Sequence, residues 1–239
     1  MTSGAPDATG VTGVTWVAGA GGGIGAACVT RLRAAGQTVV GTDRPWVDIT
    51  RPGGVEAALE SATADGPLVA AVHAVGMSAR RQGDGPVSLC SDQGWDEALR
   101  VNLTSVFRFL RGVLRTVSDG GSVVVIGSEL SRTLDHDFLT AGYRAAKAAV
   151  VPLVEAAAYE GAPRGVRVNV VSPALVETPM AARALSDERI RARLPQLMPL
   201  GGRAASSDEV AAAVAWLLSD DAARTTGSVL RVDGGWSLR

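Results

Sequence analysis

The segment "GYRAAKAAV" sets Tyr143 four residues before Lys147. On a helix that spacing puts both side chains on one face. A free phenol titrates near pH ~10 and is a poor base at neutrality. An ammonium beside it favours the phenolate and lowers that value. Such a pair could take a proton from an alcohol or give one to a carbonyl. Lys147 is also the only lysine among 23 cationic residues. A planar guanidinium is a poor stand-in for a compact ammonium, so its retention here reads as a chemical demand. The bland alternative is a surface pair on an alanine-rich helix.

A second group surrounds the turn "AGAGGGIGAACVTRLRAAG". Gly19, Gly21, Gly22, Gly23 and Gly25, with Ile24 among them, lie between a strand pattern and a helix pattern. Clustered glycines let a backbone approach a pyrophosphate, and the helix N-terminus adds N–H groups and positive dipole. Asp43, in "VVGTDRP", ends the second strand. There it could accept from adenosine ribose hydroxyls and repel a 2′-phosphate. A turn-forming aspartate is an equally good reading of Asp43 alone. Arg44 beside it could serve a 2′-phosphate. The glycine turn itself holds no basic residue, so NAD is favoured over NADP as cofactor.

The elements that must hold these residues are legible. Apolar runs at 14–19, 38–42, 68–74, 122–128, 166–172 and 228–232 read as strands covered on both faces, and 47–49 as a short seventh. Helical patterns occupy about 24–35, 53–63, 92–117, 141–160, 184–195 and 206–219. Ser91 and Ser206 offer N-caps, while Gly36 and Gly161 stand where helix stops are wanted. The alternation predicts an α/β fold: one doubly wound, Rossmann-type domain over 13–239 with a parallel sheet of about seven strands. Residues 1–12 read as a loose tail. A net charge of −1 argues against nucleic acid or an anionic membrane as partner. Two cysteines give no disulfide framework, no basic residue precedes Arg31, and the apolar windows are short. A cytoplasmic protein is expected.

Taken together, "YRAAK" and the glycine turn resemble the short-chain dehydrogenase/reductase family over about residues 12–236. The family's Tyr-x-x-x-Lys is met by Tyr143 and Lys147, and its Gly-x-x-x-Gly-x-Gly by Gly19, Gly23 and Gly25. Its serine is matched by Ser128 in "VVVIGS" and its asparagine by Asn102 in "RVNLTSVF". "NVVSPALVETPM" resembles the nicotinamide-contacting segment and implicates Pro173, Val176 and Thr178. The resemblance implies hydride transfer between a nicotinamide and a secondary alcohol or ketone, with no metal. Tyr143 would be the acid/base. Lys147 would hold the nicotinamide ribose and lower the Tyr143 pKa. Ser128 would bond the substrate oxygen, and Asn102 would anchor a relay water. Asp48 and Ile49 would lie beside the adenine, and Ala74 and Gly76 beside the cofactor.

The sequence also departs from the family pattern. The threonine that opens the glycine motif is Ala18, and the Asn-Asn-Ala-Gly segment reads His73, Ala74, Val75, Gly76. The brace between those segments must therefore differ. Ser128 precedes Tyr143 by 15 residues, longer than usual, and Ser131 is the alternative. Asp135, His136 and Asp137 resemble metal ligands in type, but read better as a solvated turn, with His136 able to face substrate. Segment 177–203 would form a lid, with Met180 among its apolar contributors. Its arginines, with Arg80 and Arg81, could meet a substrate carboxylate, although a solvated face is the plainer reading. The resemblance implies a homotetramer or homodimer packed through 92–117 and 141–160. Two alternatives stay open: an NADPH-dependent ketoreductase of a biosynthetic pathway, and a dinucleotide-binding sensor without turnover.

Overall fold

The computed structural model describes residues 13–238; the tail expected at 1–12 lies outside them. Its centre is a parallel sheet of β1 (Val14–Ala18), β2 (Thr38–Thr42), β3 (Leu68–His73), β4 (Ser122–Ile126), β5 (Arg167–Pro173) and β6 (Val229–Val232). The strand order is β2-β1-β3-β4-β5-β6. From β1 the chain steps outward to β2, then crosses back to β3 on the other side. That reversal opens a crevice at the carboxyl ends of β1 and β3, where open α/β sheets bind ligands.

Side chains alternate across the sheet and so fill two cores. Val17, Val72, Val124 and Val171 pack with Cys28 and Leu32 of α1 (Gly23–Ala34) and Val210 and Val214 of α8 (Ser207–Leu218). Trp16, Ala71, Val123, Val125 and Val170 face the opposite way. They meet α2 (Gly54–Thr63), α4 (Ser105–Thr116) and α5 (Ala141–Gly161). Each buried valine or leucine contributes on the order of 1.5–3 kcal/mol. Among the described residues no helix is long and apolar enough to cross a membrane.

Several expectations are corrected. Residues 47–49 form no strand, so the sheet has six. The reason is local: Asp48 Oδ1 accepts from the Thr50 amide at 2.9 Å, and Val47 N donates to Asp43 O at 3.1 Å. The backbone's polar groups are satisfied in turns and leave nothing for a ladder. The helix expected at 92–117 is α3 (Asp92–Leu99), a π-turn at Arg100–Thr104, then α4. The helix expected at 184–195 is split into α6 (Ala182–Ser186) and α7 (Glu188–Leu197), because Asp187 caps α7 by accepting from Arg189 N and Ile190 N. Gly161 does not stop α5 as a left-handed residue; its φ is −76°, and Gly165, at φ +69°, makes the turn. The Ser91 and Ser206 caps form, the latter as a full capping box with Glu209.

Candidate active site

Tyr143 lies in the first turn of α5 and is half-buried. Thr140 supplies no side-chain cap to that helix. Asp84, buried and far away in sequence, does so instead: Oδ1 accepts from Gly142 N and Oδ2 from Tyr143 N, each at 2.9 Å. This carboxylate satisfies orphan donors at the helix end and pins the turn that carries the tyrosine. Nothing local in the sequence marks Asp84 for that role.

One turn on, Lys147 is buried and donates from Nζ to Ile126 O at 2.8 Å. The end of β4 thereby fixes the ammonium. Burial depresses the Lys147 pKa to about 8. Its Nζ stands 6.0 Å from the Tyr143 ring centroid. Ser128 lies two residues past β4; it is buried, and its hydroxyl accepts from Leu130 N at 3.3 Å. Burial pushes the Tyr143 pKa above its ordinary value, and a hydrogen bond with Ser128 offsets part of the rise. The net direction opposes the expected lowering by Lys147. Desolvation of the phenolate dominates, and the Lys147 ammonium, 6.0 Å from the ring centroid and already bonded to a carbonyl, does not reverse it. Ser131, the alternative, lies instead on a cavity lined by Arg144, Ala145 and Ala148, the face of α5 away from Tyr143.

Asn102 sits in the π-turn and is fully buried. Its Oδ1 accepts from Met77 N at 3.1 Å, and its Nδ2 donates to Met77 O at 2.9 Å and Ala98 O at 3.0 Å. Both amide hydrogens are thus engaged in holding the chain after β3. Single-turn π segments of this kind recur at functional sites. The same loop carries Gly76, which joins the parts. A Cβ on Gly76 would stand 3.1 Å from Asn102 Oδ1, 3.8 Å from Lys147 Nζ and 3.9 Å from Met180 Cε. Four separate segments therefore converge on one small space that a glycine keeps open.

The glycine turn faces the same crevice. Gly19 has φ +86°, and a Cβ there would meet Ala74 C at 2.8 Å. A Cβ on Gly25 would stand 2.0 Å from Gly19 O, and one on Gly23 2.5 Å from Thr178 Cγ2. Of the turn's glycines Gly19, Gly21, Gly22, Gly23 and Gly25, Gly22 alone has no neighbour within 4 Å of that position. The first turn of α1 has no acidic residue and no side-chain cap, so its N–H end is available to an anion. Asp43 is fixed beside it: Oδ2 accepts from Gly21 N at 2.8 Å and Oδ1 from Arg44 N at 2.7 Å. These features suit a dinucleotide: a tight glycine cradle, a helix N-terminus, and a carboxylate at the end of β2. Asp48 is bound up with Thr50, and the Ile49 side chain is buried in the core. Pro173 ends β5, Val176 is buried and bridges Ala205, and Thr178 abuts Gly23.

His73 resolves the altered brace. Ala74 N donates to Ala18 O at 2.8 Å, so main chain links the ends of β1 and β3. The His73 ring turns away to Ser105, with Nε2 3.0 Å from Oγ. The Ser105 hydroxyl donates to Val101 O at 2.6 Å, so Nε2 carries the hydrogen and donates to Oγ. Burial lowers the His73 pKa to about 3, with Lys147 adding to the shift, and the ring is neutral. His73 therefore braces the π-turn that bears Asn102.

The turn expected to be solvated is not. Asp135 and Asp137 have side chains only 4% and 8% exposed. Arg193 bonds both carboxylates, meeting Asp135 at 2.6 Å, and Arg189 meets Asp137 at 2.6 Å. Both arginines lie on α7, so this turn is tied to the segment expected to form a lid. His136 itself is exposed.

A family model described as enoyl-(acyl carrier protein) reductase matches residues 46–237. The 3-oxoacyl-[acyl-carrier-protein] reductase FabG of Escherichia coli is 34% identical over 243 residues, covering 93% of this chain and 96% of that protein. The 3beta-hydroxysteroid dehydrogenase 1 of Eggerthella lenta is 33% identical, covering 93% and 92%. A short-chain type dehydrogenase/reductase from Mycobacterium ulcerans superposes with a TM-score of 0.85 at 30% identity, covering 95% of this chain and 90% of that one. The Thermoplasma acidophilum aldohexose dehydrogenase does so at 0.81 and 28%, covering 95% and 94%. With its sheet order, glycine cradle and Tyr143–Lys147 pair, the chain belongs to the short-chain dehydrogenase/reductase family.

Proposed function

We propose that this oxidoreductase transfers a hydride between NAD and a secondary alcohol or its ketone, with Tyr143 as acid/base. The convergence of Lys147, Asn102 and Met180 on the open space at Gly76, one helical turn from Tyr143, carries this reading. Relatives named as a 3-oxoacyl reductase and a hydroxysteroid dehydrogenase support the alcohol/ketone class. The nicotinamide supplies or takes up the hydride; this chain's residues handle position and proton. Gly19–Gly25 and the α1 N-terminus hold the pyrophosphate, and Asp43 meets the adenosine ribose. Lys147 presents its ammonium to the nicotinamide ribose. Tyr143, with its pKa pushed up by burial, is protonated at neutrality and suited to donate to a ketone oxygen. Ser128 bonds that same oxygen.

NAD is preferred over NADP because the Asp43 carboxylate, anchored to Gly21 N at 2.8 Å, is a fixed negative charge beside the cradle. The exposed Arg44 next to it favours a second reading, an NADPH-dependent ketoreductase. The test is steady-state turnover of an alcohol and ketone panel with both dinucleotides. NAD should be preferred, and Asp43→Ala should erode the preference by about tenfold. A parent preference for NADPH overturns the choice of cofactor. Tyr143→Phe should lose turnover by roughly 10²–10⁴ while still binding dinucleotide; retained turnover removes the mechanism.

A further inference from the structure

Two guanidinium groups near the lid converge on one carbonyl oxygen. Arg80 Nη2 stands 3.4 Å from Asp137 O, and Arg183 Nη2 stands 3.1 Å from the same atom. Arg80 belongs to a short 3-10 turn after β3 and is half-buried; Arg183 belongs to α6. Neither forms an ion pair among the described residues. The carboxylates nearby are otherwise engaged. Asp135 and Asp137 bond Arg193 and Arg189, and Asp84 accepts from the α5 amides. Burial and the Arg183 charge both weigh against the Arg80 cation, and Asp84 offsets only part of this. Arg80 is the desolvated member and Arg183 is exposed. An anion bridging the two would offset their mutual repulsion, which their one shared neutral acceptor does not.

The pair is linked to the reacting end of the crevice, not to the pyrophosphate cradle. Arg80 follows Gly76 by four residues, Arg183 follows Met180 by three, and Asp137 precedes Tyr143 by six. Gly76 and Met180 are the residues beside Lys147 Nζ. We infer that Arg80 and Arg183 form a subsite for an oxyanion, a carboxylate or phosphate, carried by the substrate at a distance from its reacting carbon. This rests on the proposed function and narrows its substrate to anionic ketones or alcohols. Paired guanidiniums suit such groups through charge-assisted, often bidentate, hydrogen bonds.

The experiment compares kcat/KM for a series of oxo-acids of different chain length with their methyl esters. Parent, R80Q, R183Q and the charge-retaining R183K are used, each checked for native circular dichroism. A second arm compares an oxoacyl phosphopantetheine thioester with the N-acetylcysteamine thioester that lacks the phosphate. The parent should favour one anionic form by tenfold or more, on the order expected for charged hydrogen bonds. R80Q and R183Q should abolish that preference through KM and leave the neutral substrates unchanged, while R183K keeps part of it. Preference in the first arm identifies a carboxylate; preference in the second identifies a phosphate. Equal turnover of charged and neutral forms by the parent, or equal loss of both in the variants, overturns the subsite and leaves the proposed function standing. If no ketone is turned over with either dinucleotide, the proposed function fails and the subsite falls with it.

Discussion

Lys147 carries a cost that its position makes measurable. Buried and bonded to Ile126 O, it has a pKa of about 8 instead of the ordinary 10.5. Below pH 8 both the folded and the unfolded chain carry this proton, and the folded state bears the full penalty of the buried charge. Between pH 8 and 10.5 the unfolded chain binds more protons than the folded one, so this residue's contribution improves as pH rises. The whole span is on the order of 3 kcal/mol. Lys147→Met should therefore abolish turnover yet be more stable than the parent at pH 7 in urea titrations. The gap should hold below pH 8 and shrink towards pH 10.5. A variant less stable than the parent at every pH would mean that the Ile126 hydrogen bond outweighs desolvation. This residue pair was legible from spacing alone, because one helical turn is a short-range fact. The direction of the Tyr143 shift was not, because it depends on burial that only the folded chain defines.

At the scale of elements, the segment expected to form a lid is latched by charge. Arg193 and Arg189 on α7 hold Asp135 and Asp137, whose side chains are 4% and 8% exposed. Isolated surface pairs contribute only ~0–1 kcal/mol. Here the carboxylates are buried, so removing one charge leaves its arginines partly uncompensated. Asp137→Asn should speed amide hydrogen exchange in α6 and α7 by about tenfold or more, and raise KM more than it lowers kcat. Unchanged exchange in α7 would mean that apolar contacts from Ile190, Leu194 and Leu197 hold the lid alone. The sequence showed these aspartates only as a polar turn, because their partners lie more than fifty residues away. The six strands and the glycine turn were legible, since they rest on local periodicity and composition. The π-turn at Asn102 was not: its residues fit an ordinary helix, and what distinguishes the place is the tertiary set of Met77, His73 and Ser105. The absent seventh strand and the split lid helix have the same origin in Asp48 and Asp187, whose side chains capture nearby amides.

For the whole molecule, the question is what covers the other face of α5. Tyr143 and Lys147 occupy one side of this helix; Ala141, Ala145 and Ala148 line a cavity of about 570 Å³ on the other. Val87, Trp95 and Leu134 also line it, 85%, 41% and 71% exposed, with Asp92, Ser131 and Arg144 among its polar members. Large apolar side chains gathered over a small-residue floor are an unfavourable surface for an isolated chain. The homodimer or homotetramer that the family resemblance implies would cover this face, packing through α3 and α5 with the alanines allowing close helix approach. A stable contact requires burying on the order of 1,200–2,000 Å² in total. Sedimentation of the parent should then give a multiple of 24.4 kDa. Ala148→Arg, which fills the floor with a charge, should sediment as the single chain with unchanged circular dichroism. Because α5 carries Tyr143 and Lys147 on its opposite face, packing across this side would stiffen it, and under the proposed mechanism kcat should fall as the parent is diluted through its dissociation range. A parent that sediments at 24.4 kDa at tens of micromolar would leave this surface without the proposed partner.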